Sequence, residues 1–560
     1  MRARVQGLVG VRYRSVGMSE PAAVEVRNAL NDLVNQFSDP MSFLRELIQN
    51  SVDAGSEEIE VSVERDGGGA SGVTIVRVDD WGQGMTRAII DKRLTRLFSS
   101  AKDGDMTKIG KFGIGFVSVF ALGPQAVCVD TGREGESWRV LFDEERRFKL
   151  LRRDEPVEGT KIRILKQTDQ QEHDGIVARA GAVLTYWCKH VETDIRYQGE
   201  LVRQPFAIAN AIATVDADDG FSSIVVAHRP TPDAFAGFYN SGLTLIETEQ
   251  AEPPEPEFAG IGFKASSPHL EHTLTRDKVI EDDGYERVMD QVRALIAGPL
   301  CDRVLALLGE AMADVQGDAH VPLLRATARH ALMGHLGDAR ADTCVARSPA
   351  GVELTAKRLS ARHKAGEVLV AANRSHLTDA LEKLGHTVVL QPKLATQGEG
   401  IADLIAALSP GAPCVPVSMR YCMPTVEDTP GPEAQSLMAA TRSLLRAQGL
   451  KVGDIGVGRF DYPESGIAQH VAVALPELGA VAESAKVVTL GRGFLSRTRA
   501  VAINLAHPTV QGLLALAQAE PEFSAYVLVK QFMLGHHLDP ELDTGMLGTS
   551  VEARCRRLTP

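Results

Sequence analysis

The stretch FLRELIQNSVDA, residues 43–54, decides the fold that we expect for the first part of the chain. Its apolar residues recur at helical spacing, and the Ser-Asp-Pro at 38–40 is typical of a helix start. The predicted buried stripe consists of Phe43, Leu44, Leu47, Ile48 and Val52. On the other face, Glu46, Asn50 and Asp53 stand at i, i+4 and i+7. Taken alone, this acidic and amide trio favours a solvated face over a pocket wall.

A second stretch, VDDWGQGM at 78–85, follows a run that is typical of β-strands. Alone, Asp-x-Gly-x-Gly favours a turn, because Asp and Gly adopt turn conformations at little steric cost. In a pocket, the Asp80 carboxylate could accept a hydrogen bond from an adenine amino group. The glycines would then let the base approach the backbone.

A third stretch, IGKFGIGFVSVF at 109–120, is typical of a glycine-rich loop that enters a helix. Such glycines expose backbone N–H groups to phosphate, and the helix N-terminus adds a favourable dipole. The segment from Gly104 to Lys111 is not a P-loop, since it has one residue too many and Phe112 replaces the metal-binding hydroxyl. By itself the glycine triplet favours packing or a turn.

Together with EGTKIRI at 158–164, these stretches have the order and spacing of the four boxes of GHKL ATPases. LREL with an asparagine four residues after the glutamate, and GKFGIGF before an aromatic-containing helix, resemble the heat-shock protein 90 family most closely. The resemblance implies a Bergerat-type α/β sandwich that binds ATP and Mg²⁺. It also implies a lid over about 94–110.

The resemblance assigns roles to individual residues. Glu46 would act as the general base or orient the water, Asn50 would hold Mg²⁺, and Asp80 and Thr160 would contact adenine. The full implied set of ATP-binding residues is Asn50, Asp53, Asp80, Gly82, Gly84, Met85, Lys102, Gly110, Lys111, Phe112, Gly113, Ile114, Gly115, Phe116 and Thr160. Arg276, in LTRDK at 274–278, is similar to the arginine that the family's middle domain sends to the γ-phosphate. Without the resemblance, it favours a solvated arginine near a helix start.

The fold class that we expect is α/β multidomain. A tail over 1–18 precedes a nucleotide domain over 19–175, which begins with an amphipathic helix over 24–37. A middle domain over 176–425 would begin with a part similar to ribosomal protein S5, which extends to about 300. Helices and a small α/β unit over about 365–425 would follow. An α+β dimerisation domain over 426–560 would complete the chain. There, VAINLAHP at 501–508 resembles the family's C-terminal segment, and its helices carry residues that could pack on a partner or within the chain: Leu513, Leu514, Ala517, Leu528, Phe532 and Met533.

Composition limits the partners. The formal net charge is −13, from 60 Lys and Arg against 73 Asp and Glu, and this balance disfavours nucleic acid. Seven scattered cysteines without a CxxC pair favour a reducing compartment and disfavour a zinc site. Because no apolar run reaches membrane-spanning length, we expect a cytoplasmic protein with no membrane partner.

The sequence therefore predicts an ATP-dependent chaperone of the heat-shock protein 90 type, working as a homodimer on client proteins. The alternative is a MutL- or MORC-like ATPase that acts on DNA. That alternative is favoured by the direct passage from Asp53-Ala54 into a predicted strand, and disfavoured by the acidic charge and the C-terminal resemblance.

Overall fold

The structure, a computed structural model, describes residues 39–67, 72–95, 114–253, 255–271, 273, 278–312, 320–391, 399–491, 496–534, 536 and 538–558. The tail over 1–18, the helix over 24–37 and most of the lid lie outside these residues. Six predicted site residues also lie outside them: Lys102, Gly110, Lys111, Phe112, Gly113 and Arg276. Those assignments stay predictions.

The first unit packs helices on one face of a sheet of eight described strands. The strands are β1 (Glu58–Asp66), β2 (Gly72–Asp80), β3 (Ala126–Arg133), β4 (Glu136–Asp143), β5 (Phe148–Arg152), β6 (Thr160–Thr168), β7 (Asp194–Tyr197) and β8 (Glu200–Leu201). Their order is β5-β4-β3-β6-β2-β1-β7-β8, with β7 parallel to β1 and the other pairs antiparallel. The helices are α1 (Phe43–Asp53), α2 (Arg87–Ile89), α3 (Ile114–Val117) and α4 (Gln170–Cys188).

The apolar pattern of the sequence explains this layer. The stripe of α1 is buried, with Phe43, Leu44 and Ile48 at 0% exposure, and β2 alternates buried and half-buried residues along its length. Helix α4 buries Ile176, Ala180, Val183, Leu184 and Cys188 in the same core. The boundary predicted at residue 175 falls inside α4, so the first unit continues to about Leu201.

The second unit is a sheet covered by helices. Its strands are β9 (Ala213–Asp218), β10 (Ser223–His228), β11 (Ala234–Asn240), β12 (Leu243–Gln250) and β13 (Ile261–Ser266), in the order β12-β11-β13-β10-β9. The helices are α5 (Asp283–Leu295), α6 (Cys301–Ala311) and α7 (His320–Leu332), followed by β14 (Cys344–Arg347), β15 (Glu353–Thr355) and α8 (Ala356–Ser360).

A small parallel sheet follows, as the pattern over 367–390 predicts. Its elements are β16 (Val368–Ala371), α9 (His376–Lys383), β17 (Val388–Leu390), α10 (Ile401–Leu408) and β18 (Cys414–Pro416). The strand order is β17-β16-β18, and both pairs are parallel. Because Val368, Val389 and Ile401 belong to the same core as the second unit, the two units share an apolar interior.

The last unit combines a mixed sheet with helices. Its elements are α11 (Val417–Arg420), β19 (Tyr421–Cys422), β20 (Thr425–Val426), α12 (Pro432–Ala447), β21 (Val452–Arg459), β22 (Ala472–Leu475), β23 (Ala482–Glu483), β24 (Arg499–Asn504), α13 (Pro508–Ala517), α14 (Pro521–Met533) and α15 (Pro540–Leu558). Strands β20-β21-β24-β22 form one sheet, and β19 pairs with β23. None of the helices in the described part of the chain is long and apolar enough to cross a membrane.

The apolar residues predicted on α13 and α14 pack within the chain. Leu513, Ala517, Leu528, Phe532 and Met533 are buried in the core of the last unit, and Leu514 packs against that core. The sequence left open whether these residues pack on a partner or within the chain, and the structure shows them in a core within the chain. The large apolar side chains that these last helices expose are different ones, namely Leu516, Phe523, Leu547, Val551 and Leu558.

Candidate nucleotide-binding site

A buried carboxylate, that of Asp80, lies at the end of β2 and joins three elements. Asp80 is 5% exposed because the alternation of β2 turns it toward the helices. Its Oδ1 accepts the backbone N–H of Gly82 at 3.0 Å and that of Thr160 at 3.1 Å. The Ser51 hydroxyl of α1 donates to Oδ2 at 3.0 Å. The carboxylate is thus held in one orientation by α1, by its own turn and by β6.

The electrostatics of Asp80 suit recognition of a neutral donor. Burial raises the pKa of Asp80, and the hydrogen bonds from Gly82, Ser51 and Thr160 only partly oppose this effect. An ionised carboxylate offers about four acceptor positions, and these three donors use three of them. One position remains for a further donor such as an amino group.

A second set of hydrogen bonds is centred on the hydroxyl of Thr131, which lies opposite Thr160 on the neighbouring strand β3. Thr131 Oγ1 accepts the Met85 N–H at 2.9 Å and donates to the Gly159 carbonyl at 3.1 Å. The Thr160 hydroxyl lies 3.1 Å from Thr131 Oγ1. Because the Thr131 proton is already used, Thr160 donates here, and the lone pairs of its oxygen stay available to accept from a ligand.

Two glycines of the stretch VDDWGQGM, Gly82 and Gly84, bring this loop close to the end of α1 and to β3. Gly84 has a φ of +64°, and a Cβ there would lie 2.1 Å from the Gly132 carbonyl oxygen. A Cβ on Gly82 would lie 2.8 Å from the Ala54 side chain, and Gln83 N–H donates to the Ala54 carbonyl at 2.9 Å. The loop therefore lies against the end of α1 at Gly82 and against β3 at Gly84, and both close approaches favour glycine.

Glu46 lies half-buried on α1, next to the start of α3. A Cβ on Gly115 would lie 2.7 Å from Glu46 Oε2, so the carboxylate faces the end of the glycine-rich stretch. Asn50 and Asp53 follow on the exposed side of α1, and partial desolvation raises the pKa of Asp53. An acid, an amide and a glycine backbone thus line one side of the site.

The side chain of Phe116 belongs to the core of the first unit, and its predicted place at the phosphate end stays a prediction. Its side chain is 6% exposed and packs in the core, with its ring centroid 5.5 Å from that of Phe142. Only its backbone is left to face a ligand. Ile114 begins α3, and the structure describes its backbone alone.

The structure brings Asp80, Gly82 and Thr160 together by direct hydrogen bonds, and Glu46 against Gly115. Sequence reasoning missed Ser51, Thr131 and Gly159. Gly159 has a φ of +67°, and its Cβ would lie 2.1 Å from the Asp80 carbonyl oxygen. Its place directly before Thr160 in EGTKIRI was the signal that could have identified it. Ser51 and Thr131 carried no such signal, since a lone Ser or Thr is common on any helix or strand.

Comparison with known proteins agrees with this geometry. Residues 39–173 match the family model described as "Histidine kinase-, DNA gyrase B-, and HSP90-like ATPase". The chain is 33% identical over 180 residues to the chaperone protein HtpG of Anaplasma phagocytophilum, covering 26% of this chain and 27% of that protein. It is 29% identical over 109 residues to the DNA mismatch repair protein MutL of Akkermansia muciniphila, covering 19% of this chain and 16% of that protein.

A further relative is the HtpG of Nitrobacter hamburgensis, 31% identical over 160 residues and matched over 25% of its length. The chain thus spans between 16% and 27% of the length of these relatives. The matches show an ATPase domain of the GHKL type in this chain, with similarity to both HtpG and MutL.

Proposed function

We propose that the protein binds ATP between α1, β2 and β6 and hydrolyses it. The observation that carries this proposal is the buried Asp80 carboxylate, held by Ser51, Gly82 and Thr160 with one acceptor position to spare. The adenine amino group would donate to that position, and the Thr160 hydroxyl oxygen would accept from a bridging water or the base. Burial strengthens both contacts because the local dielectric is low.

Glu46 would take the proton from the attacking water or orient it, since it lies at the end of the stretch that would face the phosphates. Asn50, one helical turn further on, would hold Mg²⁺ through its amide oxygen. No group of three or more His, Cys, Asp or Glu among the described residues could hold a metal ion by itself. This fits Mg²⁺ that arrives with the nucleotide, whose phosphates supply further oxygen ligands.

We further propose a chaperone of the heat-shock protein 90 type, which cycles as a homodimer on client proteins in the cytoplasm. The HtpG relatives and the C-terminal resemblance support this proposal. An exposed seam on α15 also supports it. The seam consists of Leu547, Val551, Cys555 and Leu558, which lie on one side of the helix, opposite the buried Leu542 and Met546. A second copy packing on this seam would remove its apolar surface from water.

The second candidate is a MutL-like ATPase that acts on DNA. It is favoured by the short connection after α1, since β1 begins at Glu58 directly after the turn at Ala54 and Gly55. The MutL relative, 29% identical over 109 residues, also favours it. Against it stands the net charge of −13.

Three measurements on the full chain test the proposal. ATP turnover should be present in the wild type and lost in Glu46→Ala. Suppression of the aggregation of a heat-denatured model protein, dependent on ATP, would support the chaperone. A nucleotide-dependent gel shift with duplex DNA, without effect on aggregation, would instead support the MutL-like function.

A further inference from the structure

The end of α4 is capped by the second unit rather than by solvent. Thr244 Oγ1 donates at 2.7 Å to the carbonyl of Tyr186, one of the last helical carbonyls that lack a partner within the helix. Gly242, with a φ of +82°, approaches so closely that a Cβ there would lie 2.3 Å from the His190 carbonyl oxygen. Leu243 is 5% exposed and belongs to the core of the first unit. The turn between β11 and β12 is thus built into the ATPase domain.

A half-buried ion pair joins the same two units. Lys189, the residue that follows α4, places Nζ 2.7 Å from Glu247 Oε2 on β12, and the two side chains are 15% and 14% exposed. The Tyr239 hydroxyl donates to the other oxygen of Glu247. Burial alone would raise the pKa of Glu247, but the hydrogen bonds from Lys189 and Tyr239 outweigh it and lower the pKa. Removing either partner would leave a poorly hydrated charge.

These contacts between the two units, made by Thr244, Leu243 and the Lys189–Glu247 pair, form a junction that also extends to α1. Arg45, next to Glu46 in sequence, is 2% exposed, and its guanidinium carbon lies 4.6 Å from the centroid of the Trp187 ring. Trp187 is two residues before Lys189 and packs edge-on against Tyr186, with ring centroids 4.8 Å apart. Contacts therefore run without a gap from the helix of Glu46 through the end of α4 to β12.

We propose that this junction couples the nucleotide site to the second unit and that Glu247 is a positioning residue for hydrolysis. The inference rests on the proposed ATPase function. A shift of α1 on nucleotide binding would move Trp187 and the Lys189–Glu247 pair, and with them β12. Because Trp187 lies against Arg45, the residue before Glu46, loosening the pair would also loosen the placement of Glu46. A purely structural pair would affect melting temperature without separating kcat from nucleotide binding.

The test uses the full chain and a non-hydrolysable ATP analogue. In the wild type, the analogue should slow hydrogen exchange over 243–250, although this strand lies in the second unit. Glu247→Gln and Lys189→Met should remove that protection and lower kcat by up to about 10²-fold, the order of magnitude for a misplaced catalytic group, which is a larger factor than the change in nucleotide Kd. Lys189→Arg, which keeps the charge pair, should preserve both properties.

A matched control is Glu367→Gln. Glu367 also accepts from a cation and a tyrosine, Arg420 at 3.2 Å and Tyr421 at 3.3 Å, but it lies in the parallel-sheet unit. Glu367→Gln should change neither the hydrogen-exchange protection over 243–250 nor kcat. If Glu247→Gln fails to fold, Thr244→Val removes only the helix cap and should weaken the same protection.

Two results would overturn the inference: no analogue-induced change over 243–250 in the wild type, or protection that survives both Glu247→Gln and Lys189→Met. A wild type that protects this strand but does not turn over ATP would overturn the proposed hydrolysis and leave the coupling supported.

Discussion

The backbone N–H of Thr160 donates to Oδ1 of Asp80 across 3.1 Å, although eighty residues separate the two. This contact joins the second and fourth sequence stretches in one pocket. Because Oδ1 also accepts the N–H of Gly82, Oδ2 is the carboxylate oxygen with a position left for a ligand.

Asp80→Asn should weaken nucleotide binding by about 5- to 150-fold, the equivalent of about 1–3 kcal/mol for a mismatched buried donor. The amide has one oxygen, and when this oxygen accepts from Gly82 and Thr160, its NH₂ group faces the adenine amino group, which is also a donor. Isothermal calorimetry measures the affinity. Asp79→Asn is the control, since Asp79 lies on the opposite face of β2 and should keep wild-type affinity. Wild-type affinity in Asp80→Asn would place adenine elsewhere.

Glu46→Ala should reduce kcat by about 10²–10⁴ while nucleotide affinity stays close to wild type, because a general base acts in the transition state. Single-turnover kinetics and calorimetry separate the two effects. Gln49→Ala, at an exposed position of the same helix, should leave both unchanged. Undiminished hydrolysis in Glu46→Ala would remove Glu46 from the mechanism.

Gly159→Ala should destabilise the first unit more than Gly135→Ala does. Both glycines have a positive φ, of +67° and +79°, so both variants carry similar backbone strain. Only at Gly159 would the new Cβ meet a backbone oxygen, 2.1 Å away, while Gly135 has open space. The clash should add roughly 1–3 kcal/mol. Equal melting temperatures for the two variants would contradict the close approach that the structure shows.

The local sequence pattern was sufficient to predict the helix that carries Glu46, because its apolar stripe and its polar face follow directly from helical periodicity. It was not sufficient for the partners of Asp80. Ser51 and Thr160 lie 29 and 80 residues away from it, and their pairing depends on how β2 and β6 align. The sequence spacing of the four stretches indicated the pocket, but only the sheet register shows which atoms meet.

Periodicity also left the apolar helices near the C-terminus ambiguous. The spacing of Leu513, Leu528 and Phe532 predicts burial, but it does not say whether the covering surface belongs to the same chain or to another. The structure places them against α12 and the last sheet within the chain. Similarly, local pattern predicts a boundary at 175, whereas the structure packs α4 into the core of the first unit, a tertiary contact that periodicity does not specify.

The stability of the second unit should fall between pH 7.5 and 5.5. His228 and His330 are 1% and 2% exposed, with their Nε2 atoms 2.9 Å apart. Burial lowers the pKa of His228 to about 3 and that of His330 to about 4, and nearby Arg329 and Arg340 act in the same direction. Because the folded pKa lies below the unfolded value near 6.5, the stabilisation is complete above about pH 6.5 and is lost as pH falls toward 4.

The expected loss at pH 5.5 is about 1 kcal/mol for each of the two histidines. Thermal melting at the two pH values measures it. His330→Asn should reduce the difference between the two melting temperatures, whereas His269→Gln, at an exposed position, should leave that difference as in the wild type. An unchanged pH dependence in His330→Asn would show that other groups govern it.

Val551→Glu should convert the proposed dimer into monomers. Val551 is 51% exposed on α15, between Leu547 and Leu558 on the seam, and a carboxylate there would be buried without a partner in a symmetric contact. A cost of roughly 2 kcal/mol or more raises the dimer Kd at least about 30-fold. Light scattering measures the mass. Leu332→Glu, at a 65% exposed apolar residue on α7, should remain dimeric. A dimer that persists in Val551→Glu would move the interface away from α15.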